Sequence, residues 1–197
     1  MGELAAVLAG ESDGMNSRLA TLEAREAIRA LPPRYADAYA RLDLDALAAL
    51  YLPDVPLRRA ADGTAETGRA ALRDHFERAT RGATPGRGLA TVILHTDNHV
   101  IDVTGPDAAT GSVYCHVEVH RRDGSSYQQA VVYTDRYARH EGAWYFAAQR
   151  KHDLLYGAAP HTRPNALPPA NWPASQTGRG SLPEAWPSWN EFWDGAR

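Results

Sequence analysis

Three sets of side chains in this 197-residue chain carry groups able to move protons or hold charge. The first is His95, set among the apolar residues that begin at Ala90; if Ile93 points into the interior, His95 shares its side. A lone imidazole in such a place is either a satisfied core residue or a general base, because histidine exchanges its proton near neutral pH. The second is the run Arg150-Lys151-His152, in which Lys151 is the sole lysine of the chain. Three consecutive cationic or potentially cationic residues on a strand send at least one inward, where it needs an anionic or hydrogen-bonding partner. The third is His116, Glu118 and His120, which share one side of a strand. Two imidazoles and one carboxylate on a flat strand seldom converge on one ion, so this set reads as a polar face meeting solvent or a subunit, not as a metal site.

The elements that must position these groups are legible from periodicity. From Ser17 the apolar residues Leu19, Leu22, Ala27, Ile28 and Leu31 recur at helical spacing, and Pro32-Pro33 should kink or split that helix. Tyr35, Ala38 and Tyr39 share one side of the next helical stretch, Asp43 is an N-cap for a short helix through Tyr51, and Gly68–Arg81 is a third amphipathic helix. His75 within it reads as a packed helix residue. Strand patterns follow over Leu89–Val103, Thr110–Arg121, Tyr127–Arg139 and Ala143–Asp153, separated by Gly-containing turns. In the second strand Val113, Cys115, Val117 and Val119 alternate with polar residues, which places Val117 on the interior wall. Helices first and an antiparallel meander after predict an α+β fold.

Composition narrows the function. A formal net charge of −3 and no basic stripe argue against nucleic acid, and no apolar run reaches the roughly 18–20 residues of a membrane span. The single cysteine, Cys115, allows no internal disulfide and no multi-cysteine metal site, which fits a cytoplasmic protein. The opening residues lack the basic region of a signal peptide. Residues 1–16 read as a flexible lead-in, residues 17–156 as the folded domain, and residues 157–197 as an arm. That arm holds seven of the 13 prolines and four of the five tryptophans, a composition for packing on the domain or on a neighbouring subunit.

The run EAIRALPPRYADAYARLDLDALAALY, the strand HTDNHVIDV with TGSVY after it, and the closing hairpin VVYTDRYARHEGAWYF resemble, in order, the segments of SnoaL-like proteins of the nuclear transport factor 2-like superfamily. The resemblance covers roughly residues 18–155 and is nearest to the scytalone dehydratase and bile acid dehydratase branch. It implies a cone-shaped curved antiparallel sheet wrapped around N-terminal helices, with a pocket for a small ligand. It also implies that His95 holds the family's histidine position and Tyr35 its tyrosine position, whereas the aspartate position falls on Ala40, a departure that removes the His–Asp pair. The expected activity is a cofactor-independent lyase or isomerase acting on a small hydroxylated aromatic or polyketide-like molecule, losing water or a small carbonyl fragment. In that scheme His95 is the base, Tyr35 with Tyr39 or Tyr133 donates hydrogen bonds, and Arg150, Lys151 or His152 holds negative charge. No cofactor and no metal are expected, and a homodimer or homotrimer is. The alternative is a non-catalytic binder of small hydrophobic ligands or a structural small subunit of an oxygenase. The Asp-Arg-Asp set of the superfamily's epoxide hydrolases and the Asp base of its ketosteroid isomerases find no convincing places.

Overall fold

The computed structural model describes residues 2–57, 66–83, 86–158 and 186–195. Four helices precede the sheet: α1 (Gly2–Arg29), α2 (Leu31–Ala40), α3 (Leu44–Ala49) and α4 (Arg69–Arg81). Five antiparallel strands follow: β1 (Leu89–Gly105), β2 (Ala108–Arg121), β3 (Ser126–His140), β4 (Ala143–Phe146) and β5 (Lys151–Ala158). A last helix, α5, spans Pro187–Asp194. The strands run β1-β2-β3, and β3 pairs with β4 at one end and β5 at the other, so the curved sheet is not closed. This is the α+β architecture the element order predicts.

Local chemistry accounts for the boundaries. Pro32 and Pro33 fall in the first turn of α2, where a missing amide donor loses nothing, and so they divide α1 from α2 instead of bending one helix. Asp43 caps α3 by accepting from the Ala46 amide at 3.0 Å. Residues 2–16, expected to be a flexible lead-in, are the beginning of α1. Val55–Ala60 reads in sequence as a short strand and Asp62-Gly63 as a turn; that turn and the far end of the strand lie outside the described residues, although Val55 and Leu57 are buried and Pro56 bridges Thr67. The last expected strand is two strands. Between β4 and β5 the chain leaves β3, and the Ala147 amide donates to the Arg136 carbonyl at 2.7 Å.

The core lies between the helices and the concave face of the sheet. It is built around a cluster of rings: Tyr35 sits edge-on to Phe76, Tyr133 and Phe146, with centroids 6.1–6.3 Å apart, and Tyr51 packs on Phe146 at 5.1 Å. Such pairs contribute about 0.5–1.5 kcal/mol each beyond the area they bury. In β2 the alternation holds as expected, with Val113, Cys115, Val117 and Val119 buried. In β1 a bulge between Thr96 and His99 adds one residue and changes the phase. Val92 and Leu94 face inward before it, Ile101 after it.

Gly111 marks the close approach on which this region depends. A Cβ there would run into the Val100 carbonyl oxygen and stand 3.2 Å from the Tyr137 ring. Gly111→Ala should therefore lower stability by about 1–3 kcal/mol. Urea unfolding followed by circular dichroism will measure it; an unchanged midpoint would mean that the strands can part at no expense.

Candidate functional site

A cavity of about 290 Å³ opens inside the cone. Its apolar wall comes from β1 (Val92, Leu94), β2 (Val117, Val119) and β3 (Val131), all from the inward phase of their strands. Its polar groups are the phenols of Tyr39, Tyr127 and Tyr133, the hydroxyl of Thr80, the amide of Gln129 and one imidazole, His152. His152 lies opposite Tyr133 in the β3–β5 pairing, and the two ring centroids are 5.6 Å apart. Arg87 and Arg121 stand at the rim, Arg87 paired with Asp123 at 2.9 Å.

Behind Tyr133 lies a buried ionic floor. Arg150 donates from Nε and Nη2 to the two carboxylate oxygens of Asp135, at 2.9 and 2.8 Å, with both side chains almost fully buried. The guanidinium carbon sits 3.9 Å from the Tyr133 ring centroid, 4.7 Å from that of Tyr35 and 4.8 Å from that of Phe146. Burial works against the Arg150 charge, but the Asp135 carboxylate more than offsets it and holds the guanidinium protonated more firmly than usual. Tyr137 donates to Asp135 at 3.2 Å, and the Tyr137 oxygen meets His99 Nε2 at 3.0 Å, which makes Nε2 the protonated nitrogen of that ring. Burial pushes the phenol of Tyr133 up, with Arg150 pulling partly back. Tyr39 is likewise raised by burial, with Thr80 acting in the opposite sense. These phenols are donors at neutral pH, not bases.

The expected site residues divide accordingly. Tyr39, Val117, Tyr133 and His152 line the cavity. Tyr35 is in the core, 5% exposed, one ring behind the cavity wall. Arg150 is the inward member of the cationic run, and its partner is Asp135; it supports the floor and does not line the cavity. Lys151 points away, exposed and paired with Asp153 at 3.2 Å. His95 is on the outer face, its side chain 57% exposed, opposite His116 in the ladder and 3.9 Å from Glu118. The proposed His95–Tyr35 pair is thus not assembled: the sheet stands between them. The reason is the phase of β1, in which Val92 and Leu94, not Ile93, face inward. On that outer face His116 lies 3.7 Å from Asp97 and His120 3.5 Å from Glu118. Among the described residues no three His, Cys, Asp or Glu side chains are grouped to hold a metal.

Residues 20–150, more than half of the chain, match the profile of the SnoaL-like domain. The chain belongs to the SnoaL-like family. The SnoaL-like cone is similar to that of a scytalone dehydratase-like protein from Novosphingobium aromaticivorans, with 20% identity over 73% of this chain and 92% of that one and a TM-score of 0.59. It is similar to hexachlorocyclohexane dehydrochlorinase LinA-type3 from Novosphingobium barchaimii, at 20% identity over 72% and 93%, TM-score 0.60. A third likeness is to an NTF2-like protein with a cystatin-like fold from Novosphingobium aromaticivorans, at 23% identity over 72% and 88%, TM-score 0.54. No curated protein matches the sequence. At these identities the structural likeness establishes the nuclear transport factor 2-like fold alone.

Sequence reasoning missed Asp135 and His99 as partners in the SnoaL-like interior. The signal for Asp135 was present: it is in phase with Val131, Tyr133 and Tyr137, so its carboxylate points inward and needs a cation. His99 was concealed by the β1 bulge, which turns it inward after His95 has pointed out.

Two outcomes follow from the floor. Asp135→Ala leaves a buried guanidinium unpaired and should reduce stability by about 3–5 kcal/mol in denaturant unfolding; a loss below about 1 kcal/mol would show that water relieves Arg150. His99 is held below its ordinary value of 6.5, first by burial, with Asp135 raising it and Arg150 lowering it. The unfolded chain therefore binds the extra proton first, and stability falls as pH drops through about 6.5 towards the lower native value. Thermal melts between pH 7.5 and 5 should show this slope for the wild type and a shallower one for His99→Gln; equal slopes would remove His99 from the acid response.

Proposed function

We propose that the cavity is the site of a cofactor-independent elimination or isomerisation on a small hydroxylated aromatic or polyketide-like substrate, with His152 moving the proton. The observation that carries this reading is one imidazole, exposed at the cavity, beside the buried phenol of Tyr133 in a hollow that joins an apolar wall to neutral hydrogen-bond donors. The volume suits a molecule of one or two fused rings, and the valine and leucine wall favours a flat apolar body. The SnoaL-like family and neighbours such as the dehydrochlorinase support a lyase or isomerase without specifying its substrate.

The chemistry balances within these groups. His152 takes a proton from a carbon beside a carbonyl, and the C–H electron pair becomes the new double bond as the neighbouring C–O bond breaks. The imidazolium then returns its proton to the departing hydroxyl, which leaves as water. Tyr133 and Tyr39 donate hydrogen bonds to the carbonyl oxygen as it gains charge, in a place where burial keeps both phenols protonated. For isomerisation, the same imidazolium returns the proton to a different carbon. For loss of a small carbonyl fragment, His152 takes the proton of a hydroxyl β to the carbonyl instead; the O–H pair forms the fragment's C=O as the C–C bond breaks, the C–C pair passes into the enolate, and the imidazolium protonates the enolate carbon. His95, on the outer face, takes no part.

A panel of hydroxylated aromatic and polyketide-like compounds, followed by ultraviolet absorbance and product analysis, tests the reading. For any compound turned over, His152→Gln should reduce kcat/KM by about 10²–10⁴-fold, and Tyr133→Phe should lower kcat, while His95→Gln stays near wild type. Undiminished turnover in His152→Gln would defeat the assignment. Tight binding of panel members with no turnover in the wild type would replace the enzyme by a carrier of small hydrophobic ligands.

A further inference from the structure

Helix α1 is far longer than the domain requires. At 28 residues it extends about 42 Å, yet from residue 14 onward only Ala24 and Ile28 are buried. Residues 14–20 are exposed on every side. Packing of an apolar face supplies most helical stability in proteins, and residues 14–20 pack no such face in the single chain. The exposed stretch has such a face. Met15, Leu19 and Leu22, at 69%, 54% and 62% exposure, are separated by four and three residues. At about 100° per residue they fall in one stripe some 60° wide. The stripe ends at the Arg29–Glu26 ion pair.

The charges beside the stripe differ in sign. Arg18 and Arg25 flank it on one side, and Glu23 flanks it on the other. With Leu19 at position a and Met15 and Leu22 at position d of a heptad, Arg18 takes position g and Glu23 position e. In a parallel two-stranded coiled coil, a g residue meets the e residue five positions on in the partner helix, and Arg18 and Glu23 have that separation. In an antiparallel pair like flanks would meet, arginine against arginine.

We propose that the exposed stripe of α1 pairs in parallel with α1 of a second copy of this chain, with Leu19 and Leu22 at the seam and Arg18 facing Glu23 of the partner subunit. This surface is separate from the cavity, and the pairing does not depend on the reaction assigned to it. It also gives the exposed stretch from Met15 to Leu22 a packed face.

Sedimentation equilibrium of the full chain should show an assembly whose mass falls on Leu19→Glu with Leu22→Glu, while the near-ultraviolet circular dichroism of the domain is unchanged because both side chains are exposed in the single chain. Arg18→Glu should weaken association by about two- to fivefold, and adding Glu23→Arg should restore it. Leu22→Cys should form a disulfide-linked dimer on mild oxidation, which only the parallel arrangement brings into register. A wild-type chain that stays monomeric at high micromolar concentration, an assembly whose mass ignores the Leu19 and Leu22 substitutions, or failure of the charge reversal to restore association would each overturn the proposal. A partner of another kind on this stripe would give the first of these results.

Discussion

The interior is organised by the meeting of Asp135 and Arg150. A carboxylate and a guanidinium, both almost wholly removed from water, must face each other in good geometry, because either alone would carry a penalty of several kcal/mol. The two hydrogen bonds between them are of that kind. The chain departs from β3 between β4 and β5 along the segment that delivers Arg150, so the break in the last strand and the ion pair share one region of backbone. Around the pair, Tyr35, Tyr133 and Phe146 lay their rings against the guanidinium, which is attracted to their faces and is more weakly hydrated than an ammonium. Tyr137 and His99 extend the polar chain to β1. The interior behind the Tyr133 ring is thereby filled and fixed, and the cavity lies on the other side of that ring.

That division decides which groups are chemically available. A buried aspartate beside an arginine invites a hydrolytic reading, but Asp135 has both oxygens engaged by Arg150 and a third donor from Tyr137. It does not line the cavity. Cys115, also inward, has its thiol pushed up to about 11, chiefly by burial, which removes it as a nucleophile at neutral pH. Beside its apolar wall, the hollow is faced by neutral donors, by His152 and, at its rim, by Arg87 and Arg121. Ala40, where the family resemblance leads one to expect an aspartate, fits the same picture: the helix face that would orient a histidine supplies phenols from Tyr35 and Tyr39 instead.

Much of the fold was legible because its signals were redundant. β2 alternates strictly over eight residues, and that alone determines which way Val117 and Glu118 point. β1 does not alternate where it matters: Val92, Ile93 and Leu94 are all apolar, so either phase satisfies the pattern, and the choice of Ile93 as inward sent His95 to the wrong side. The ladder resolves it, since Ile93 lies opposite Glu118 and His95 opposite His116, the polar face of a strand whose phase was clear. The inward cation of the Arg150-Lys151-His152 run was predictable from burial physics, but its partner lies fifteen residues earlier in the chain, on β3, and only strand pairing brings the two together. The helical start of α1 was lost for a different reason: Gly10 and Gly14 lower helix propensity and hide the continuity.

The carboxy-terminal region shows how composition can indicate contact without giving its form. The density of tryptophan and proline implied an arm with indole anchors, and Trp172 lies outside the described residues, but α5 is a helix begun by Pro187. None of its residues is buried. It is held by directional contacts: Trp189 donates to the Ala90 carbonyl, Ser188 to the Arg41 carbonyl at 3.0 Å, and Arg81 to the Phe192 carbonyl at 3.1 Å. Arg81 and Arg122 also lie over the Phe192 and Trp193 rings, at 4.4 and 4.2 Å. The residues that receive α5 alternate in sequence with those that line the cavity mouth: Arg81 with Thr80 and Gly82, Ala90 with Leu89, Arg122 with Arg121. Phe192 packs partly against the core, and the aromatic faces of Phe192 and Trp193 give the guanidinium groups of Arg81 and Arg122 partners that need no carboxylate. The aromatic residues of α5 and the arginines Arg81 and Arg122 are therefore complementary, and α5 braces the cavity mouth as Asp135 and Arg150 brace the floor behind Tyr133.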